Sequence, residues 1–459
     1  MSATPGAGRV DAGAGRVDAG AGRVDAGAGR VDASAGRRGP GEGSIIISNI
    51  GELATPTGFG PPRGREAMGR VEVTRDAVVL VREGIIAWVG TRAEFEADPE
   101  LARASVGMPT LDAGGSAVIP GFVDSHTHFV FGGFRDEEFL WRAGGLPYME
   151  IHRRGGGIRT SMKATRAARV EELVETGSRR LGKMLALGVT TVEGKSGYGL
   201  DLDTELRQLQ AMHLLSESGP IDIVPTFLGP HSTPPEFEGR ASDYMDFVIA
   251  EVLPAVRAQG YARFCDVFCE RNVFELADSR RYLEAAADLG FGLKLHADEI
   301  ERIGGAGLAA ELGATSADHL LKAAPADIER MAKAGVVATN LPLTAFSLRE
   351  PYANARFMID SGCALSLASD LNPGSCYSQS FPLIFAIAVL YLGLSLEETL
   401  TATTLGGAAA LGLADSRGSI EVGKCADLLV LDAPSYRHLA YNVGMNQVAK
   451  VVKGGKLLS

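Results

Sequence analysis

The apolar positions of the chain change period twice. Near the N-terminus they form short β-like runs, Ser44–Ile47, then Val71 to Val89 with an Arg82-Glu83-Gly84 turn inside it. The same pattern returns far downstream at Gly418–Glu421, Ala426–Leu431 and Val448–Leu458. Pro56, Pro61 and Pro62 predict a loop over Gly51–Gly69. Between about 118 and 414, strand and helix patterns alternate, with candidate strands ending near His126, Lys195, Leu228, Glu270, His296, His319, Leu341 and Asp370. Val170, Leu173, Val174, Leu181, Met184 and Leu185 share one helical face, closed by Gly188. Ser395 and Glu398 predict a capping box, and Pro325 and Gly335 bracket another helix. Strands each followed by a helix predict an α/β chain with a (β/α)8 TIM-like barrel over 118–414. The β-rich ends, 44–117 and 415–459, predict one small composite β-sandwich domain.

Residues 1–43 stand outside this pattern. Residues 6–33 are four copies of Gly-Ala-Gly-Arg-Val-Asp-Ala, and a fifth begins at Ser34. Each unit carries Val as its one large apolar side chain, so there is no seam to bury, and the stretch is expected to be a dispensable, disordered tail. It lacks the apolar core of a signal peptide. Composition adds exclusions. A net charge of −11 disfavours nucleic acid, and no apolar run reaches the ~18 residues that span a bilayer. The five cysteines, an odd number without zinc-ribbon spacing, read as small buried hydrophobes in a reducing cytoplasm.

Candidate chemistry gathers at the predicted strand ends. His126 and His128, two apart in an extended run, aim both imidazoles at one place. Of eight histidines, five (His126, His128, His231, His296 and His319) fall at or just past strand ends, whereas His152, His213 and His438 do not. A lone strand-end histidine is more often a packing residue; five on one barrel face point to a metal, zinc or iron. His296 is the third expected ligand, and Asp370, whose plainer reading is a helix N-cap, is a carboxylate able to ligate the metal and bond its water. Such a site makes water a nucleophile at neutral pH, so hydrolysis is the expected reaction. Glu299 and His319 are the candidates to move protons and steady an oxyanion. Arg135, in the first strand-to-helix loop, could clamp a substrate carboxylate, and Tyr198, on a glycine-flanked loop, could stack or hydrogen-bond.

These features together resemble the amidohydrolase superfamily. The strings Gly121–His128, Val192–Asp201, Thr226–His231 and Ser369–Ser375 are similar to its imidazolonepropionase family, with the likeness running from about residue 44 to the C-terminus. The resemblance implies a small-molecule substrate, 4-imidazolone-5-propanoate, hydrolysed to N-formimidoyl-L-glutamate in histidine degradation. It implies one zinc or iron per chain on His126, His128, His296 and Asp370. It places substrate contacts at Arg135, Tyr198, His231, Glu299, Asn372, Gly374 and Ser375, with His319 beside the metal water. No nucleic-acid or membrane partner is expected, and a homodimer is allowed. Pro230 departs from the small residue expected before His231. Glu270 stands where some superfamily members hold a second metal. The rival readings are another amidohydrolase, such as a hydantoinase or a base deaminase, and a metal-free binding homologue.

Overall fold

The computed structural model describes residues 42–146, 150 and 156–458. The predicted tail, except for its last two residues, and His152 lie outside them. The chain opens with β1 (Ile45–Pro56), β2 (Val71–Arg82), β3 (Ile85–Thr91), β4 (Thr110–Asp112) and β5 (Ala117–Pro120). Alternation sorts their side chains: Ile45, Ile47, Val79 and Val81 share one apolar cluster, while Ile46, Val78 and Leu80 pack on the other face with Trp88. The β2–β3 turn has both central residues at positive φ, Glu83 at 51° and Gly84 at 81°, the conformation that matches strand twist in tight hairpins.

The proline-rich loop expected over Gly51–Gly69 is corrected. β1 continues through Gly51 to Pro56, and Gly64–Met68 is a short helix. Gly51 is there for close approach: a Cβ would lie 2.1 Å from the Gly115 carbonyl oxygen. Leu53 and Ala54 beyond it are buried.

The barrel follows, with β6 (Phe122–Asp124), β7 (Val189–Lys195), β8 (Asp222–Phe227), β9 (Phe264–Cys265), β10 (Phe268–Cys269), β11 (Gly292–Ala297), β12 (Ser316–His319), β13 (Val337–Asn340) and β14 (Leu365–Leu367). They pair in parallel in the order β14-β13-β12-β11-β9-β8-β7-β6, and β10 adds to β11. β9 and β10 are two halves of one barrel position, so the nine segments fill eight places. Backbone bonds just past the first and last strands join them: Asp370 N donates to His126 O at 3.0 Å and His128 N to Leu371 O at 2.9 Å. The ligand-bearing ends are therefore tied to each other.

The intervening helices follow their sequence signals. Val170–Ala186 buries Leu173, Leu181 and Met184, Pro325–Ala334 ends at left-handed Gly335, and Ser395 and Glu398 complete the expected capping box. After the barrel come β15 (Leu428–Leu431), β16 (Val448–Lys453) and β17 (Lys456–Leu457). β15 pairs with β5, joining both chain ends in one mixed sheet. Gly418–Glu421 is not a strand: the Ile420 amide bonds the Thr55 hydroxyl rather than a neighbouring strand, although its side chain still enters the sheet's core. All five cysteines are free and buried. Among the described residues, no helix is long and apolar enough to cross a membrane.

Candidate active site

Past the end of β6 the chain carries His126 and His128 into the barrel mouth, where β11 brings His296 and the segment after β14 brings Asp370. All four are almost wholly buried. Nε2 of His126 and of His128 each lie 3.6 Å from Asp370 Oδ1, near the separation of about 3.3 Å expected of ligands sharing a zinc-sized ion. Nitrogen atoms of His126, His128 and His296 come together within 4.8 Å, as do ligand atoms of His126, His319 and Asp370. His126 Nε2, His128 Nδ1, both nitrogens of His296 and His319 Nδ1 are buried without a hydrogen-bond partner. Each such atom costs about 1–3 kcal/mol if left unsatisfied. His126 Nε2 is the one among them that lies beside the Asp370 carboxylate, and an unpartnered ring nitrogen there fits a bound metal ion.

The electrostatics agree. Burial is the main cause holding His126, His128 and His296 well below the ordinary imidazole range, and it pushes His319 down to about 3 and His231 to about 4. The rings are thus neutral, with lone pairs available for a cation. Burial pushes Asp370 up to about 7 against the bond it accepts from the Thr344 hydroxyl, 2.6 Å away.

Three turns out of regular strand geometry aim these groups. Asp298, His319 and Asp370 have φ of 50°, 71° and 51°, a left-handed conformation uncommon outside glycine. Successive strand residues point to opposite faces, so Asp318 and His319 would normally diverge. The left-handed turn at His319 brings its ring to 5.1 Å from that of His296, while Asp318 still reaches His126. Asp298 accepts from the Ile303, Gly304 and Ala306 amides, anchoring the loop that carries Glu299. Glu299 Oε1 lies 3.5 Å from His319 Nδ1, and burial, then Asp370 and Glu270, push its carboxyl up to about 8.

The outer half of the site is built from loops. Arg135 donates through Nε at 2.9 Å and Nη2 at 2.5 Å to both oxygens of Glu138, which also accepts from Gly157 N. This leaves Nη1 against Gly374, where a Cβ would lie 2.3 Å away. Arg142 donates to the Gly374 carbonyl. Asn372 Oδ1 accepts from the Gly374 and Ser375 amides, and its Nδ2 donates to Asp370 O and Ser375 Oγ. The Asn372 side chain is therefore spent on its own loop. His231 stacks on His128 at 5.1 Å and is fixed through Nδ1 on the Gly197 carbonyl, with the Tyr198 ring 5.3 Å away. Pro230 leaves this arrangement intact, its carbonyl accepting from Phe268 N. Gly197, at φ 101°, has no room for a Cβ beside Leu228 O and the His231 ring.

The structure thus brings every sequence-selected site residue to one barrel mouth. The Glu270 carboxylate accepts from the Arg271 and Ile300 amides, and Glu270 joins none of the candidate ligand clusters among the described residues. His213 stacks on Tyr261 and His438 on the edge of Tyr441, away from the site. Sequence reasoning missed Glu138, Asp266, Lys294 and Asp318. The signal available was charge inside otherwise apolar strands, as in Leu293-Lys294-Leu295.

A parallel barrel with imidazoles and a carboxylate converging at its C-terminal mouth defines a metal-dependent hydrolase class. The model of the amidohydrolase family matches residues 151–458. Solved structures with this fold include an Escherichia coli guanine deaminase (TM-score 0.65, 14% identity, 91% of this chain and 99% of that one). Another is an adenosine deaminase from Xanthomonas campestris with bound zinc (TM-score 0.61, 22%, 90% and 92%). Imidazolonepropionase of Parabacteroides distasonis is 54% identical over 90% of this chain and 98% of its own length, and that of Clostridium tetani 50% over 91% and 98%. The chain belongs to the imidazolonepropionase family of amidohydrolases.

Proposed function

We propose that this protein hydrolyses the cyclic amide of 4-imidazolone-5-propanoate to N-formimidoyl-L-glutamate, a step of histidine degradation. The observation that carries this beyond a generic amidohydrolase is Arg135, clamped by Glu138 against Gly374 at the rim of the histidine cluster. A ring with a propionate tail needs such a cation at one end and the buried histidines at the other.

One zinc or iron ion would be held by His126, His128, His296 and Asp370, and when bound it supplies Lewis acidity for attack on the amide. The remaining groups act through their own atoms. Arg135 receives the substrate carboxylate through its Nη1 edge. Tyr198 and His231 flank the ring, and the backbone of Gly374 and Ser375, held by Asn372, lines the tail. Glu299, buried 3.5 Å from His319, would take the proton of the attacking water and pass it to the ring nitrogen as the C–N bond breaks. His319, neutral, steadies the developing oxyanion by hydrogen bonding.

We take residues 44–117 and 415–459 as one β-domain around the 118–414 barrel, a division supported by their shared apolar cluster. The free cysteines support a reducing cytoplasm. A homodimer is compatible with this reading. The test is one sample assayed twice, for loss of imidazolone propionate and for metal content. Turnover with about one metal per chain is expected; metal-loaded protein that leaves the substrate untouched would overturn the assignment.

A further inference from the structure

Beneath the histidines, Glu193, Lys195, Asp266, Lys294 and Asp318 form a linked group of charged side chains with no solvent exposure. Lys195 Nζ lies 2.6 Å from Asp266 Oδ2, 3.0 Å from Glu193 Oε2 and 3.4 Å from Asp318 Oδ2. Lys294 Nζ lies 3.0 Å from the same Glu193 oxygen and 4.0 Å from Asp318 Oδ2, and it donates to Ser125 O. Buried charges persist only where they are paired. Two ammonium groups against three carboxylates leave the balance on the negative side, directly under the imidazoles.

That negative charge has an address. Asp318 Oδ2 sits 2.6 Å from His126 Nδ1, while Asp318 Oδ1 accepts from the Ser316 hydroxyl at 2.7 Å. Asp266 Oδ2 approaches His296 Nδ1 to 3.0 Å without hydrogen-bond alignment, and its Oδ1 accepts from the Val267 and His296 amides. A carboxylate can only accept at His126 Nδ1, so that nitrogen carries the hydrogen and Nε2 keeps its lone pair for the ion.

We propose that Asp318 is a positioning residue of the metal centre: it locks His126 as the Nδ1–H tautomer and adds negative charge behind it, and Lys195, Lys294 and Ser316 hold the carboxylate in place. The proposal rests on the metal-site reading above. Charge and orientation act in the same direction, because losing either weakens cation binding.

The experiment is competition of full-length protein with a chromophoric chelator for zinc. Asp318→Asn is expected to raise the metal Kd by about 10- to 100-fold. At saturating metal its KM for imidazolone propionate should stay near that of the wild type. A purely structural role instead predicts a lower Tm of the metal-free protein with an unchanged Kd, and a Kd within about twofold of wild type overturns the proposal. Ser316→Ala, which removes a single donor to the same carboxylate, covers the case in which Asp318→Asn does not fold; a rise of about threefold is expected, and no rise is the overturning result. Wild-type protein that binds no zinc overturns the metal-site reading itself, an outcome distinct from a variant that binds as well as wild type.

Discussion

The metal-facing and carboxylate-facing halves of the site are built on opposite principles. The inner half sits on strand ends, is buried, and leaves ring nitrogens of His126, His128 and His296 without partners. The outer half sits on loops, and its polar atoms are nearly all spoken for: Arg135 by Glu138, Asn372 by its own loop amides. Rigid strands can hold unsatisfied donor atoms at one point because the sheet ladder, not the site, carries the backbone. Loops must build their own rigidity, and they do so by consuming the side chains they present. Ligand identity is therefore decisive in the inner half, and shape in the outer half.

Substitutions should separate the two halves. His296→Ala is expected to have the largest effect, with metal content falling from about one per chain to near zero and turnover falling to background, read by elemental analysis and assay. Next, Glu299→Gln should lower kcat by about 10²- to 10⁴-fold while leaving metal content unchanged; a lost metal would move Glu299 into the inner half. Arg135→Ala should raise KM by about 10- to 100-fold and change kcat less, as loss of a charged hydrogen-bonding anchor does, and equal kinetics in mutant and wild type would remove Arg135 from the site. Gly374→Ala, whose Cβ would collide with Arg135 Nη1, should raise KM by about 10-fold with metal binding intact. Deleting residues 1–41 should have the smallest effect, a kcat/KM within about twofold of the full chain.

The inner half was the more legible in the sequence. His126 and His128 announce themselves by spacing, since period two is a local property of any strand. His296 and Asp370 followed from their places at the ends of apolar runs. The outer half was readable mainly through its resemblance to a known family, because Arg135 and Asn372 look like surface and turn residues until the loops meet. Gly51 shows the reverse error. Pro56, Pro61 and Pro62 predict a loop from Gly51 onward, but β1 runs through Gly51, which permits a backbone contact with Gly115 that no local pattern reveals.

Local periodicity, capping and turn chemistry were enough to specify most strands and helices, the tight turn at Glu83-Gly84 and the histidine pair, because each depends on neighbours within a few residues. Asp318, Asp266, Lys195 and Lys294 come from four different strand positions, and although flanking apolar residues such as Leu293 and Leu295 hint at burial, nothing near any of them in the chain says which charge it will meet. Closing the barrel removes water from all of them at once and makes their pairing obligatory. That step, set by contacts between residues far apart in sequence, turns these separate charges into the base on which the metal ligands stand.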